Sequence, residues 1–283
     1  MKEAVIGVDL GGTKVQAGRV VNSKIEEKYQ TSVSANAQDE EIIVKEMFET
    51  IEKVITKDVI AIGIGVPSLV DTEKGIVYNV ENIPSWKEVH LKEKTEGRFG
   101  IPVFINNDAN CFALGEYYYG KGRGVKHMVG LTIGTGLGSG IIINRKLYEG
   151  ANCGAGEIGT VPYKDSNIED YTSGQFFKTK YGKDGKEIYE ETLKGDKTAL
   201  KAFEELGKNL GVAIKIILSL YDPEAIILGG SISSAFNFFK VSMFKELEDF
   251  LFPFVIKKLK LEVSENKENP ILGAAALYYN NLV

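Results

Sequence analysis

The sequence predicts an α/β protein built as two related lobes, on three observations. Two glycine-rich turns, Asp9-Leu10-Gly11-Gly12-Thr13-Lys14 and Gly134-Thr135-Gly136-Leu137-Gly138-Ser139-Gly140, each follow an apolar strand and each lead into another strand-like run (VQAGRVV and IIIN). Near-continuous apolar runs at 59–67 (VIAIGIGVP) and 225–230 (AIILGG) read as strands buried on both faces. Segments with helical spacing alternate with these strands. A P-loop or a dinucleotide fingerprint would run from its glycines into a helix. Three consecutive isoleucines after Gly140 oppose a helix there, because β-branched side chains prefer a pleated surface. Each turn is therefore read as a hairpin whose backbone N–H groups face an anion. Two such hairpins imply a nucleotide held between the lobes.

Taken in order, residues 4–9 and 15–21 form the first hairpin, and Asn22-Ser23-Lys24 turns the chain into a third strand at 25–31. A helix is expected over 39–57, where Ile43, Val44, Met47, Phe48, Ile51, Val54 and Ile55 share one stripe. VFIN (103–106) is a short buried strand, followed by a helix from Ala109 to Tyr119. In the second half, 128–133 and 140–144 form the hairpin. A long helix over about 197–220 buries Ala199, Phe203, Leu206, Leu210, Ala213, Ile214 and Ile217, and Asp222-Pro223 stops it. The lysine-rich stretch 178–197 reads as a solvated face, and ILGAAALYYNN as a short helix with small residues on its packed side. The expected domains are 1–107 with 271–283 as a smaller N-terminal lobe, and 108–270 as a larger C-terminal lobe.

Composition excludes several classes. The 283 residues are 43% hydrophobic and 26% charged, as expected of a soluble globular chain. A net charge of −5 provides no basic field for nucleic acid or an anionic membrane surface. No apolar run reaches the roughly 20 residues of a spanning helix, and MKEAVIGVDL has no signal-peptide pattern. Cys111 and Cys153, without metal-ligand spacing, fit a reducing cytoplasm and read as small buried filler.

Several residues carry chemistry of their own. Asp9 ends a strand just before an anion nest, where a carboxylate can orient the waters of a nucleotide-bound Mg²⁺; the alternative is a turn-capping Asx residue. Gly11, Gly12, Thr13 and Lys14 would face phosphate oxygens, as would Gly134, Thr135, Gly136 and Gly138. A hairpin without a ligand is the alternative for the second loop. Asp108 follows an apolar strand and is flanked by Asn106, Asn107 and Asn110, which makes it the candidate general base. The alternative for Asp108 is a helix N-cap. Glu157 sits in the glycine-rich AGEIG loop, and a carboxylate there can accept two hydrogen bonds from hydroxyl donors at once. Gly229-Gly230-Ser231 permits close backbone approach; as bare chemistry it is a strand-to-helix turn with Ser231 or Ser233 as cap.

DLGGTK, GVPSLVD, NNDAN, TIGTGLGSG, GANCGAGEIG and DPEAIILGG occur together in the order and approximate spacing of the ROK sugar kinases (repressor, open reading frame, kinase). The chain resembles that family over essentially its full length, within the sugar kinase, actin and heat-shock ATPase superfamily. The resemblance implies two ribonuclease H-like lobes with an interlobe active-site cleft. It implies ATP-dependent phosphorylation of a hexose, glucose first, at its primary 6-hydroxyl. The matching aspartate, Asp108, would accept the hydroxyl proton as the γ-phosphoryl group arrives. IEDYTSG resembles the family's LEAYASG, which puts Glu169 at a second sugar-binding glutamate, with a surface acid as the alternative. Asn82 and Asn107 resemble further sugar contacts, and Ser68 stands where the family has glycine in its G-x-P-G turn. Gly229 and Gly230 resemble the adenosine motif. ATP and Mg²⁺ are the implied cofactors, a small-molecule sugar the partner, and a homodimer the common assembly; polyphosphate stays open as donor.

The chain departs from the family where the family binds zinc. Thr160 replaces the histidine after AGEIG, and VPYKDSN runs to Ile168-Glu169 without a cysteine. Thiolate and imidazole zinc sites need about four ligands, so no zinc is expected. Losing the imidazole also removes a sugar hydrogen-bond partner, which Thr160 replaces in part. That leaves a kinase for fructose, mannose or an N-acetylated amino sugar as an alternative. A non-catalytic sugar sensor is another, although the winged-helix domain of the family's repressors is not expected ahead of the first strand. A protein-handling ATPase is a third, disfavoured by AGEIG and the asparagine cluster. Treatment with a zinc chelator is expected to leave folding and turnover unchanged. Metal analysis finding one tightly held zinc per chain counters that expectation.

Overall fold

The computed structural model describes residues 3–282. The first half runs β1 (Ala4–Leu10), β2 (Lys14–Val21), β3 (Lys24–Ser32), α1 (Glu40–Glu52), β4 (Val59–Val66), β5 (Val70–Asp71), β6 (Ile76–Tyr78), β7 (Glu88–Val89), α2 (Leu91–Phe99), β8 (Val103–Asn107) and α3 (Asp108–Tyr119). The second runs β9 (Met128–Ile133), β10 (Leu137–Ile143), β11 (Lys146–Leu147), β12 (Pro162–Tyr163), β13 (Ser166–Asn167), α4 (Glu169–Thr172), α5 (Gly174–Tyr181), α6 (Gly185–Leu193), α7 (Lys197–Tyr221), β14 (Ala225–Gly229), α8 (Phe236–Leu247), α9 (Pro253–Lys258), β15 (Lys260–Val263) and α10 (Asn269–Asn281).

Two five-stranded sheets share one plan, ordered β3-β2-β1-β4-β8 and β11-β10-β9-β14-β15. In the first, β2 is antiparallel to both β1 and β3, while β4 is parallel to both β1 and β8. In the second, β14 is parallel to β9 and β15. The chain divides into two compact units: Met1–Gly124, Gly140–Ala155 and Glu265–Val283 form one, Val125–Ser139 and Gly156–Ser264 the other. The division differs from the expected boundary at 107/108, because α3 packs with the first unit through α10.

Strand alternation explains the first unit's core. Ala4, Ile6, Val8 and Leu10 of β1 join α1's Ile43, Val44, Met47 and Ile51 in one apolar cluster. On the opposite face Val5 and Ala61 meet Ile271, Leu272 and Ala275 of α10. That face is narrow by construction: a Cβ on Gly7 would lie 1.9 Å from the Ile271 carbonyl oxygen, and one on Gly63 1.8 Å from that of Ala274. A Cβ on Gly273 would likewise lie 1.9 Å from the Cys111 carbonyl oxygen, so α10 meets the sheet and α3 almost backbone to backbone.

In the second unit, α7 buries the whole expected stripe, with Asp196 as N-cap and Asp222 as a left-handed C-cap. Gly207 and Gly211 let α8 approach it closely. The stretch expected to be a solvated face contains α6 and the end of α5. Ile188 and Thr192 are buried there, since one side of α6 packs while its charged side stays in water. β10 begins at Leu137, inside the glycine turn, which is therefore shorter than expected. Asn107, rather than Asp108, caps α3, accepting the Ala109 N–H at 2.8 Å.

Gly63→Ala is expected to destabilise the fold by about 2–3 kcal/mol through overpacking against α10. Gly97→Ala, where an added Cβ meets nothing within 4 Å, is expected to be neutral or stabilising by up to about 1 kcal/mol. Urea unfolding midpoints of the two variants check this, and equal midpoints would contradict it.

Candidate active site

Parallel strands deliver their carboxyl ends to one edge, where open α/β sheets commonly bind ligands. Here Asp9 of β1 pairs with Gly65 of β4, and Gly65 with Asn106 of β8, so the three stand in one row. Asp108 follows two residues later as the first residue of α3 and is exposed. Gly65 leaves room for α3: a Cβ there would lie 3.2 Å from Cys111 Sγ and 3.8 Å from Asp108 Cα. Burial pushes the Cys111 thiol well above its usual range, and the carboxylates of Asp108 and Asp9 add to the shift. Both carboxylates therefore act on one buried neighbour.

Asp9 is half-buried, and desolvation raises its carboxyl above the ordinary value while the Lys14 ammonium pulls it partly back. Its turn closes through Gly11 N–H to the Lys14 carbonyl at 2.9 Å. Thr13 and Lys14 are exposed, and the Thr13 carbonyl accepts Val33 N–H at 3.0 Å. Asn82 lies directly beside the turn: a Cβ on Gly12 would come within 2.6 Å of Asn82 Cβ.

The asparagine cluster divides its labour. Asn107 spends its Oδ1 on the helix cap, and its Nδ2 donates to the Ser68 carbonyl at 3.2 Å. The Ser68 hydroxyl donates to the Tyr78 carbonyl. Asn106 and Asn110 are buried. Asn106 Oδ1 accepts Asn107 N–H at 2.8 Å, Asn110 Nδ2 at 2.8 Å and Cys153 Sγ at 3.2 Å. Asn106 Nδ2 donates to Glu149, whose other oxygen accepts the Thr72 hydroxyl at 3.2 Å. Glu149 did not emerge from the sequence: it lies 43 residues from Asn106, in a stretch without helical or strand periodicity.

The second unit gathers the remaining candidates. Glu157 is exposed and Glu169 half-buried; desolvation, then the Glu169 carboxylate, raises the Glu157 carboxyl above its ordinary value. The Thr160 hydroxyl donates to the Glu157 carbonyl at 2.8 Å. Glu169 Oε2 accepts Leu137 N–H at 2.7 Å, and a Cβ on Gly136 would lie 2.4 Å from that oxygen. The glycine loop is closed by Gly134 N–H to the Gly136 carbonyl at 2.9 Å, and Gly138's carbonyl accepts the Thr132 hydroxyl at 3.2 Å. Gly174 N–H donates to the Gly134 carbonyl at 2.8 Å. Beside it lies a cavity of about 490 Å³ lined by Gly134, Thr135, Gln175, Tyr189 and Ser231 among others. Gly229 pairs with Thr132 at the ends of β14 and β9. Gly230 has φ +82°, and a Cβ there would lie 2.3 Å from the Ile133 carbonyl oxygen, so only glycine fits. Gly174 belongs to the TSG segment quoted above, yet its role in shaping the loop needed the tertiary contact. Among the described residues, no three His, Cys, Asp or Glu side chains gather to hold a metal ion, and no helix is long and apolar enough to cross a membrane.

Two sheets of this order, with glycine hairpins at their leading strands and polar groups at the carboxyl ends, define the actin-like ATPase fold. Residues 5–281 match the ROK family, and the chain belongs to it. A glucokinase of Thermotoga maritima is 30% identical over 308 residues, covering 98% of this chain and 97% of its own. A xylose repressor of Caldicellulosiruptor bescii is 28% identical, covering 99% of this chain and 79% of its own. The crystal structure of a ROK family glucokinase from Streptomyces griseus in complex with glucose and AMPPNP superposes with a TM-score of 0.81 at 30% identity, covering 97% of this chain and 98% of that one.

The raised Asp9 carboxyl gives a signed pH dependence. An acid whose folded-state pKa exceeds its unfolded value costs stability once it ionises, so the cost is absent at low pH and grows as pH rises through the folded-state value. Asp9→Asn is therefore expected to be more stable than the parent at neutral pH. That advantage should shrink on acidification through the raised value. Parallel urea titrations from acid to neutral pH test it, and a pH-independent difference would refute it.

Proposed function

We propose that this chain is an ATP- and Mg²⁺-dependent kinase that phosphorylates the primary hydroxyl of a hexose, with glucose as first candidate. The observation that carries the proposal is Asp108: an exposed carboxylate at the first position of α3, beyond the carboxyl end of a buried parallel strand and backed by a buried asparagine pair. Phosphoryl transfer asks a protein chiefly to position groups and to balance charge. A base able to take the acceptor's proton contributes about 10²–10⁴-fold. In the first unit, Asp108 accepts the hydroxyl proton, while Ser68, Asn82 and Asn107 are assigned to sugar hydroxyls. In the second, Glu157, Thr160 and Glu169 are assigned the same task.

The donor set fits a nucleotide. The Gly12 and Thr13 amides and the Lys14 ammonium suit phosphate oxygens, as do the amides of Thr135, Gly136 and Gly138, while the Gly11 and Gly134 amides are spent on closing their own turns. The 490 Å³ cavity next to Gly134, with Gly229 and Gly230 ending β14, suits a nucleoside. Asp9, desolvated and raised in pKa, is the carboxylate expected to hold the waters of Mg²⁺. When bound, Mg²⁺ would supply charge neutralisation at the phosphates. The Thermotoga glucokinase, and the Streptomyces glucokinase solved with glucose and AMPPNP, support ATP and glucose as the first pair to test. The xylose repressor relative favours a second reading, a sugar sensor without turnover.

A coupled ADP-release assay across glucose, mannose, fructose and N-acetylated amino sugars separates the two. Turnover of a hexose supports the kinase; sugar binding without ADP release supports the sensor. Asp108→Asn is expected to cut kcat by at least about 10²-fold while calorimetry still detects sugar binding. Full turnover in that variant removes Asp108 from its role.

A further inference from the structure

Asp108 itself sits at the surface, so something beneath it must hold its backbone still. The residues on either side supply that hold. Asn106 ends β8, Asn107 caps α3 and Asn110 lies in α3's first turn. All three meet at the side chain of Asn106, whose Oδ1 accepts from Asn107 N–H at 2.8 Å and Asn110 Nδ2 at 2.8 Å. Asn106 is 1% exposed, and with Glu149 and Cys153 it lines a cavity of about 870 Å³. Its orientation is set from the other end, where Nδ2 donates to Glu149. Glu149 is in turn tied through its second oxygen to Thr72, which follows β5.

We infer that Glu149 is a positioning residue for this kinase: through Asn106 it fixes the β8–α3 junction and hence the place of Asp108. The inference rests on the reading of Asp108 as base. The physical reason is the asymmetry of buried polar groups. Without an acceptor at Glu149, Asn106 Nδ2 loses its fixed protein partner, and mobile water from the adjoining cavity does not hold the amide in one orientation. The amide rotates or shifts, and its Oδ1 then releases the two groups that bracket Asp108. Displacement of a reacting group by about 1 Å costs on the order of 10²-fold in rate. Glu149 touches no reacting atom in this scheme. Its contribution is to geometry rather than to charge, so a neutral side chain of the same shape should serve. Glutamine meets that requirement, because its carbonyl accepts from Asn106 and its amide donates to the Thr72 hydroxyl.

The test compares Glu149→Ala with Glu149→Gln. Glu149→Ala is expected to lower kcat by about 10-fold or more with the sugar KM within about two-fold. Amide hydrogen exchange at 107–111 in the ligand-free protein is expected to quicken at least about 10-fold. Glu149→Gln is expected to restore both readings and to leave the pH profile of kcat unchanged. Wild-type kcat and exchange in Glu149→Ala would overturn the inference, as would a Glu149→Gln variant as impaired as the alanine one. If Glu149→Ala fails to fold, Glu149→Asp, which withdraws the carboxylate by one methylene, replaces it with the same expected losses. If the parent chain turns over no sugar, the kinase reading fails alone, and the exchange comparison still decides whether Glu149 holds the junction.

Discussion

Everything at the candidate site of the first unit depends on how closely α10 approaches its sheet. Gly7 and Gly63 lie side by side on β1 and β4, and the α10 backbone occupies the volume their side chains would have filled. The same helix meets α3 through Gly273, whose Cβ position is taken by the Cys111 carbonyl. A helix lodged against both the sheet and α3 leaves α3 little freedom to slide. The carboxyl ends of β1, β4 and β8 and the start of α3 thereby form one rigid edge.

A second constraint is polar, and it acts at shorter range. Asn106 and Asn110 are buried, where an unmet hydrogen bond is expensive. Oδ1 of Asn110 has no partner among the described residues. Buried polar networks with a single way to be satisfied specify one geometry. Glycine contacts bring α10 close to α3, and the Asn106 side chain bonds both the Asn107 amide and Asn110 at the start of α3.

The second unit uses comparable means for a different end. Glu169 braces the glycine loop by taking the Leu137 amide, and Gly174 braces it from the other side. Within the loop the Gly134 amide closes onto the Gly136 carbonyl, and these two outside contacts add to that bond. Glu169 thus combines a structural bond with a carboxylate that adds to the desolvation already raising the Glu157 carboxyl. The glycine loop and the AGEIG segment are joined by the Ser139 hydroxyl, which donates to the Gly156 carbonyl at 2.6 Å.

The sequence by itself determined β1–β4, β8–β10 and β14, the two hairpins, the long α7 stripe and the family, because these rest on local periodicity and on short motifs in a set order. It also singled out the asparagine cluster, since polar side chains after an apolar strand break the pattern. It did not say which member capped α3. Asn107 and Asp108 are equally good caps as isolated residues, and the choice went to the one whose backbone remains extended at the end of β8. The small strands β5–β7 and the helices α5 and α6 were hidden because short elements carry too few residues for a period to show. Glu149 was beyond reach for a deeper reason: a hydrogen bond between residues 43 apart leaves no trace in local pattern, and only the folded chain decides which distant carboxylate meets a buried amide.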